Sequence, residues 1–335
     1  MSSYAVFEKI GLTGNDVLCC SYSKWSPIFK DHIFESVKLQ PLPKSFIKYL
    51  SSDSIRLTDD KHADDINLNS ENDYSDWEED EENNEAVSSP EIQFQELHND
   101  LIESIRNLGG KVFPKLNWSA PKDAAWMLPS KSMECNTADD VYLLLNASDH
   151  IADDLDHAFD DCEGTIPNFE YELVLKKWVD LNPALEFRLF IKDKKLVGIS
   201  QRDLNFYEFL TKLEPMLRSR LSKFWEEIVV PSRFGVISYI MDVYIPSPYT
   251  EVYIIDINPL SRKSDPLLFT WNEILTADNE TFDFRLVTEN NVHRFSRKEY
   301  SESQVPLDMI DAAVNNNSMV ELAREWTNAQ KRQPK

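Results

Sequence analysis

Three oxygen-bearing side chains, Asp242, Asp256 and Asn258, stand in two neighbouring runs of apolar residues. Side chains alternate between the two faces of a strand, so Asp256 and Asn258 share a face. If the runs pair as antiparallel strands about a turn centred on Tyr249, Asp242 lies directly opposite Asp256, and Ile240 lies opposite Asn258. Two carboxylates opposed in this way need a cation or a raised pKa. An all-oxygen set of two carboxylates and one amide suits Mg²⁺.

The same residues have two other interpretations. A change of register by one residue would send Asp242 to the opposite face of the sheet, because the side-chain period of a strand is two. Separately, the three residues could be polar strand positions that face solvent. The paired carboxylates could also serve in acid–base catalysis. Spacing alone leaves the three interpretations open.

Basic side chains interrupt the strands predicted upstream of the acidic pair: Lys115, Lys176, Lys177, Arg188 and Arg202. Each one alone is typical of a solvated charge at a strand edge. Together with acids that hold a metal, they match a magnesium–nucleotide complex, whose phosphate oxygens need cations. Such a nucleotide must be held mainly by side chains, because the chain has only 7 glycines in 335 residues and contains no glycine-rich nucleotide-binding loop.

Periodicity predicts the elements that position these residues. Period-two runs indicate strands at 111–118, 171–179, 234–245 and 251–257, and a hairpin at 186–200 that turns at Asp193-Lys194. Helical spacing and capping signals indicate helices at 28–36, 90–108 and 210–228, after a capping box at Thr137, and through Met319 to Trp326. Strands mixed with long helices favour an α+β fold with antiparallel sheets.

The net charge of −23 is concentrated in one segment, since residues 59–100 hold 16 acidic residues and one lysine. The absence of a basic block disfavours nucleic acids and anionic membranes as partners. No run of 18 apolar residues occurs, and the first residues lack the apolar core of a signal peptide, so we expect a cytoplasmic chain without a membrane span. Four cysteines without C-x-x-C spacing predict reduced, structural thiols.

Six segments resemble the cell-division-cycle protein 123 family, which is similar to ATP-grasp enzymes: FPKLNWSAPKDAAW, YELVLKKW, EFRLFI, ISQRDLNFY, IIDINPL and LLFTW. The resemblance runs from about residue 18 to 275 and misses only the acidic segment. It implies an ATP-grasp-like α+β fold, in which two lobes with antiparallel sheets and flanking helices hold a nucleotide site between them. The expected parts are the N-terminal part of this body at 1–51, an acidic disordered insertion at 52–90, the remaining body at 91–305 and a C-terminal helical tail at 306–335.

The resemblance also implies roles for individual residues. The phosphates would be met by Lys115, Arg188 and Arg202, with Asp203 in the same pocket, and the ribose by Glu186. Residues 117–122 would replace the flexible loop that covers the phosphates, and would contact ATP through Asn117, Trp118 and Ala120. The adenine would lie against Val174, the backbone of Lys177 and Val179, and Trp178, with Lys176 on the strand leading there. Asp242, Asp256 and Asn258 would hold magnesium. Which of the two adjacent lysines points inward stays open.

The family binds the gamma subunit of translation initiation factor 2 so that the other subunits can join. The resemblance therefore implies a monomeric assembly factor that binds ATP and Mg²⁺ and supports translation initiation and the cell cycle. The alternatives are an ATP-grasp enzyme, either a carboxylate–amine ligase or a protein-modifying enzyme, and a scaffold with a degenerate nucleotide site. Ligase chemistry is disfavoured, because Ile240 stands where such ligases often carry arginine and the covering loop has no glycine. Whether ATP is hydrolysed stays open.

Overall fold

The structure is a computed structural model that describes residues 10–52, 57, 90–277 and 281–289. Most of the predicted acidic insertion and the whole predicted C-terminal helix lie outside these residues. Within the described ranges, no helix combines the length and the apolar character that a membrane span requires. All four cysteines fall inside them and are free thiols, as their spacing predicts.

A three-stranded antiparallel sheet forms the smaller lobe. Its strands are β1 (Ser36–Leu39), β2 (Val112–Lys115) and β3 (Leu173–Lys177), in the order β1-β3-β2. The helices of this half are α3 (Lys44–Leu50), α4 (Pro90–Gln93), α5 (Gln95–Asn107), α6 (Ala138–Asn146) and α7 (Asp149–Asp156), whereas α1 (Gly14–Cys19) and α2 (Tyr22–Trp25) pack in the core of the larger lobe. Leu173 and Leu175 of the central strand join the apolar stripe of α5 in one core, whereas Val174 faces the core shared with the other sheet.

A five-stranded sheet forms the larger lobe. Its strands are β4 (Glu186–Lys192), β5 (Lys195–Gln201), β6 (Tyr239–Tyr244), β7 (Tyr253–Pro259) and β8 (Asp283–Arg285), in the order β7-β6-β4-β5-β8. The described strands pair antiparallel except β5 and β8, which are parallel. One face packs on α8 (Glu208–Phe224) and the other on α9 (Trp271–Thr276). This is the two-lobed α+β architecture that the sequence predicts.

Local signals predict several elements correctly. The hairpin of β4 and β5 turns at Asp193 and Lys194, both of which have positive φ. The capping box is also confirmed, because the Thr137 hydroxyl accepts from the Asp140 N–H and the Asp140 carboxylate accepts from the Thr137 N–H. The predicted helix at 90–108 is confirmed with an interruption at Phe94, which separates α4 from α5.

The helix predicted at 28–36 is wrong. A short 3-10 turn occupies Lys30–His32, and β1 begins at Ser36. Ser36 pairs with Lys176 of the central strand, so long-range pairing in the sheet overrides the local helical spacing. The strand is therefore positioned by a partner that lies far away in the sequence.

The register of β6 and β7 decides whether the acidic pair converges. Asp242 lies opposite Asp256, and Ile240 lies opposite Asn258, as the turn at Tyr249 predicts. The register then shifts, because Val243 pairs with Ile254 and leaves Ile255 as an extra residue in β7. This β-bulge lies directly beside Asp256, where it turns the strand away from regular pairing.

Candidate functional site

A cleft of about 810 Å³ lies between the two lobes. The smaller lobe contributes the segment after β2 and α7, and the larger lobe contributes β4, β6, β7 and the loops after β5 and β7. Helix α1, which packs on the larger lobe, also lines the cleft. Nine of the predicted site residues line it: Trp118, Ala120, Glu186, Arg188, Arg202, Asp203, Asp242, Asp256 and Asn258. The cleft therefore brings together the acidic pair and the arginines from four separate parts of the chain.

Two arginines bind Asp242. Arg188 lies opposite it in the sheet and donates from Nε to Oδ1 at 2.7 Å and from Nη2 to Oδ2 at 2.8 Å. Arg202 donates from Nε to Oδ2 at 3.2 Å. Burial by itself would raise the pKa of Asp242, but the two guanidinium groups hold that pKa well below its usual range. The carboxylate therefore stays charged although it is buried.

Asp256 has a different set of partners. Its Oδ2 accepts from Lys115 Nζ at 2.9 Å and from Asn258 Nδ2 at 3.2 Å, and its Oδ1 accepts from the Ile257 N–H at 2.9 Å. A carboxylate has about four lone-pair sites, so Asp242 and Asp256, with three donors each, both keep one.

The oxygens of Asp242, Asp256 and Asn258 are hard ligands of the type that Mg²⁺ prefers. No group of three His, Cys, Asp or Glu side chains capable of holding a metal occurs in the described part of the chain. A metal here would thus depend on the amide of Asn258 and on further oxygens from water or phosphate. With that condition, the donor set fits the ion that the sequence predicts.

Two buried lysines of the smaller sheet extend to β7. Lys115 donates to the Trp118 carbonyl and to Asp256, and Lys176 donates to the carbonyl of Ile255, the extra residue of the bulge, at 2.7 Å. The inward lysine is therefore Lys176, and burial lowers its pKa to about 7. Its neighbour Lys177 instead forms an ion pair with Glu35 at the surface, at 2.9 Å.

The residues predicted to meet the adenine do not line this cleft. Val174 is buried in the core shared by the two sheets. The backbone N–H of Lys177 donates to the Glu35 carbonyl, and the N–H of Trp178 donates to the Lys111 carbonyl, both at 2.9 Å. Asn117, a predicted ATP contact, instead binds backbone atoms of residues 170 and 172. The predicted adenine contacts, including Val179, thus stay a prediction.

Among the cleft residues outside the predicted set, two have a clearly shifted pKa. Lys122 is half-buried in the cleft wall, and burial, with a smaller effect of Arg202, lowers its pKa to about 8. Asp154 is buried at the cleft wall, and burial raises its pKa to about 6. Lys122 lies in residues 117–122, which the resemblance places over the phosphates, whereas nothing in the sequence separates Asp154 from the other acids of α7.

Comparison with known proteins identifies relatives along most of the chain. The family model described as D123 matches residues 25–313. The chain is 46% identical over 371 residues to a protein of Lodderomyces elongisporus named translation initiation factor eIF2 assembly protein, covering 99% of this chain and 96% of the relative. It is 45% identical to cell division cycle protein 123 of Candida glabrata, covering 97% and 95%. Among solved structures, Cdc123 from Schizosaccharomyces pombe matches at 34% identity with a TM-score of 0.67, covering 84% of this chain and 100% of that chain.

Proposed function

Because the chain belongs to the D123 family, we propose that it is an assembly factor for translation initiation factor 2, which binds the gamma subunit and uses a cleft that holds ATP and Mg²⁺. The relatives support the assembly role, since the protein from Lodderomyces elongisporus is named for it and the similarity covers nearly all of both chains. The proposal that the protein binds the gamma subunit, ATP and Mg²⁺ rests on the resemblance to the cell-division-cycle protein 123 family.

The observation that carries the nucleotide proposal is the convergence of cations and paired acids on one cleft. Arg188, Arg202 and Lys115 already bind the two carboxylates, and they would bind phosphate oxygens in the same way. Asp242 and Asp256 would hold Mg²⁺ together with Asn258, and the bound ion would neutralise phosphate charge. The chain's own residues would thus bind and orient the triphosphate without a glycine-rich loop.

Ile240 favours binding over ligase chemistry. Its side chain is fully buried in an apolar cluster with Phe190 and Phe269. This position is where ATP-grasp ligases often place an arginine that stabilises the acyl intermediate. A buried isoleucine offers no charge there, so a reaction that passes through an acyl phosphate would lack this support.

Titration of ATP into the protein, with and without Mg²⁺, tests the site. We expect Asp256→Asn to weaken Mg²⁺-dependent binding about tenfold or more, because it removes one charged ligand, while Asp180→Asn at an exposed position leaves it unchanged. Wild-type affinity in Asp256→Asn would refute the site. Capture of the purified gamma subunit by the same variants then shows whether assembly depends on the nucleotide.

Incubation with the purified gamma subunit, ATP and Mg²⁺ separates this proposal from the enzyme alternative. We expect no covalent change in the mass of the gamma subunit. ADP formed together with a stoichiometric mass shift on the gamma subunit would favour a protein-modifying or ligase activity instead.

A further inference from the structure

Residues 117–123, here called the cover segment, form one wall of the cleft. Their start is held by a single buried carboxylate of α7. Asp154 Oδ2 accepts from the N–H groups of Trp118 at 3.2 Å and Ser119 at 2.8 Å, and Asp154 Oδ1 accepts from the Ser119 hydroxyl at 2.7 Å. Only 5% of Asp154 is exposed, so these three donors replace the solvation that the carboxylate loses on burial.

The end of the cover segment is held by the reverse arrangement. Asp123 Oδ1 accepts from the hydroxyl of Ser148, the N-cap residue of α7, at 2.6 Å. Asp123 Oδ2 accepts from the N–H of Asp149 at 2.7 Å. The helix therefore supplies the carboxylate that holds the start of the segment, and the segment supplies a carboxylate that binds the first turn of the helix.

Further contacts fix the residues at the start of the segment. Trp118 donates from Nε1 to the Val17 carbonyl at 2.8 Å, and its ring packs edge-on against Phe159. Asn117 accepts through Oδ1 from the N–H of Glu172 at 2.9 Å. The segment contains no glycine, so its backbone lacks the conformational freedom typical of a mobile loop.

We propose that Asp154 and Asp123 are positioning residues that hold the cover segment in place before any ligand enters, so that the phosphates meet a preformed wall that presents Lys122. The identity of the ligand rests on the function proposed above, whereas the fixing of the segment does not. A preformed wall reduces the entropy lost on binding, because no loop has to be ordered. The segment thus differs from a flexible phosphate-covering loop in dynamics as well as in composition.

The chain offers variants that separate hydrogen bonding from charge. In Asp154→Asn, the amide oxygen can accept both N–H bonds, and the amide nitrogen can donate to the Ser119 hydroxyl, so the geometry survives without the charge. Asp154→Ala removes all three bonds. Ser119→Ala removes only the hydroxyl bond and serves if the alanine variant at 154 does not fold. Asp156→Ala, at an exposed position of the same helix, is the matched control.

Hydrogen–deuterium exchange of the ligand-free protein tests the fixing directly. We expect the amides of residues 117–123 to exchange about tenfold faster or more in Asp154→Ala, with the amides of β4 and β6 unchanged, because a local opening exposes only the segment. Asp154→Asn and Asp156→Ala should match the wild type, and Ser119→Ala should lie between. Equal exchange in the wild type and Asp154→Ala, or equal acceleration in the asparagine and alanine variants, would overturn the proposal.

Titration with Mg²⁺ and ATP tests the consequence for binding. We expect Asp154→Ala to bind about tenfold more weakly and Asp154→Asn to bind as the wild type does, since only the alanine variant must order the segment on binding. Wild-type affinity in an Asp154→Ala protein whose segment exchanges rapidly would overturn the preformed wall. If the wild type itself bound no nucleotide, the proposed function would fail, and the exchange result would still decide whether Asp154 fixes the segment.

Discussion

Asp242 is a buried carboxylate that stays charged because two guanidinium groups surround it. Opposed acids in apolar strands predicted a cation or a raised pKa, and the structure shows the first of these, with arginine as the cation. The opposition of Asp242 and Asp256 could be predicted from the sequence, because it depends only on strand period and turn position. The pairing with Arg188 and Arg202 could not, since it depends on which strand lies next to β6 and on the path after β5.

Replacing the Asp242 carboxylate with an amide tests how much its charge stabilises the fold. We expect Asp242→Asn to lower the free energy of unfolding by about 3 kcal/mol, because Arg188 would keep its buried charge and lose its charged partner. Urea unfolding followed by circular dichroism measures the change. Asp180→Asn, at an exposed position, is the control and should unfold as the wild type does. A loss below about 1 kcal/mol, typical of an exposed ion pair, would contradict the structural account.

A second prediction concerns Lys122 and rests on the proposed function. Its pKa of about 8 means that its positive charge is lost as the pH rises through that value. We expect ATP affinity to fall by up to about tenfold between pH 7 and pH 9, and Lys122→Met to bind weakly with a flatter pH profile. Isothermal titration at several pH values measures this. Lys195→Met, at an exposed strand position, should retain the wild-type profile.

Alternation along β3 leaves the orientation of its two lysines undetermined from sequence. Lys176 and Lys177 are adjacent, so they must point in opposite directions, but the sequence does not say which one points inward. The choice depends on the bulge at Ile255, which offers its carbonyl to Lys176, and on Glu35, which attracts Lys177 at the surface. Both partners are distant in sequence, and so no local pattern reveals them.

Elements governed by local signals are the ones that sequence predicts best. The hairpin turn at Asp193-Lys194 and the capping box at Thr137 depend on neighbouring residues alone, and both are confirmed. By contrast, β1 is too short to have a clear periodicity and exists because β3 pairs with it. The bulge in β7 likewise has no local signal, although it places Asp256 at the cleft.

Gly198 of β5 lies where a side chain would collide with a packed ring. A Cβ atom built on it would lie 2.7 Å from the Phe269 ring, which packs across β5. We expect Gly198→Ala to lower the free energy of unfolding by about 1–3 kcal/mol, because a filled core resists an added methyl group. Thermal or urea unfolding measures the loss. Gly235→Ala is the control, since no atom lies within 4 Å of its added Cβ; equal effects of the two changes would refute the packing explanation.

The two sheets are joined by buried lysines as well as by their shared core. Lys176 releases its proton near pH 7 in the folded protein, compared with 10.5 for an ordinary lysine. The unfolded chain therefore binds more protons between these values, and the free energy of unfolding rises with pH in that window.

Lys176→Met tests this contribution. We expect the free energy of unfolding of the wild type to rise by about 2 kcal/mol relative to that of the variant between pH 7 and pH 9, because only the wild type carries the shifted group. Denaturant unfolding of both proteins across this range measures the difference. Lys195→Met controls for the removal of a surface charge. A constant difference between wild type and Lys176→Met across the range would contradict a buried lysine with a lowered pKa.

Asp256 and a phosphate ligand would compete for the same lysine, Lys115. The ammonium group of Lys115 binds Asp256 in the ligand-free protein, and it is also one of the groups proposed to bind phosphate. The affinity measured for a phosphate ligand is therefore a difference between two contacts, because the old partner must be released or shared as the new one arrives. Binding of a phosphate to Lys115 would therefore also loosen a contact that joins the two lobes.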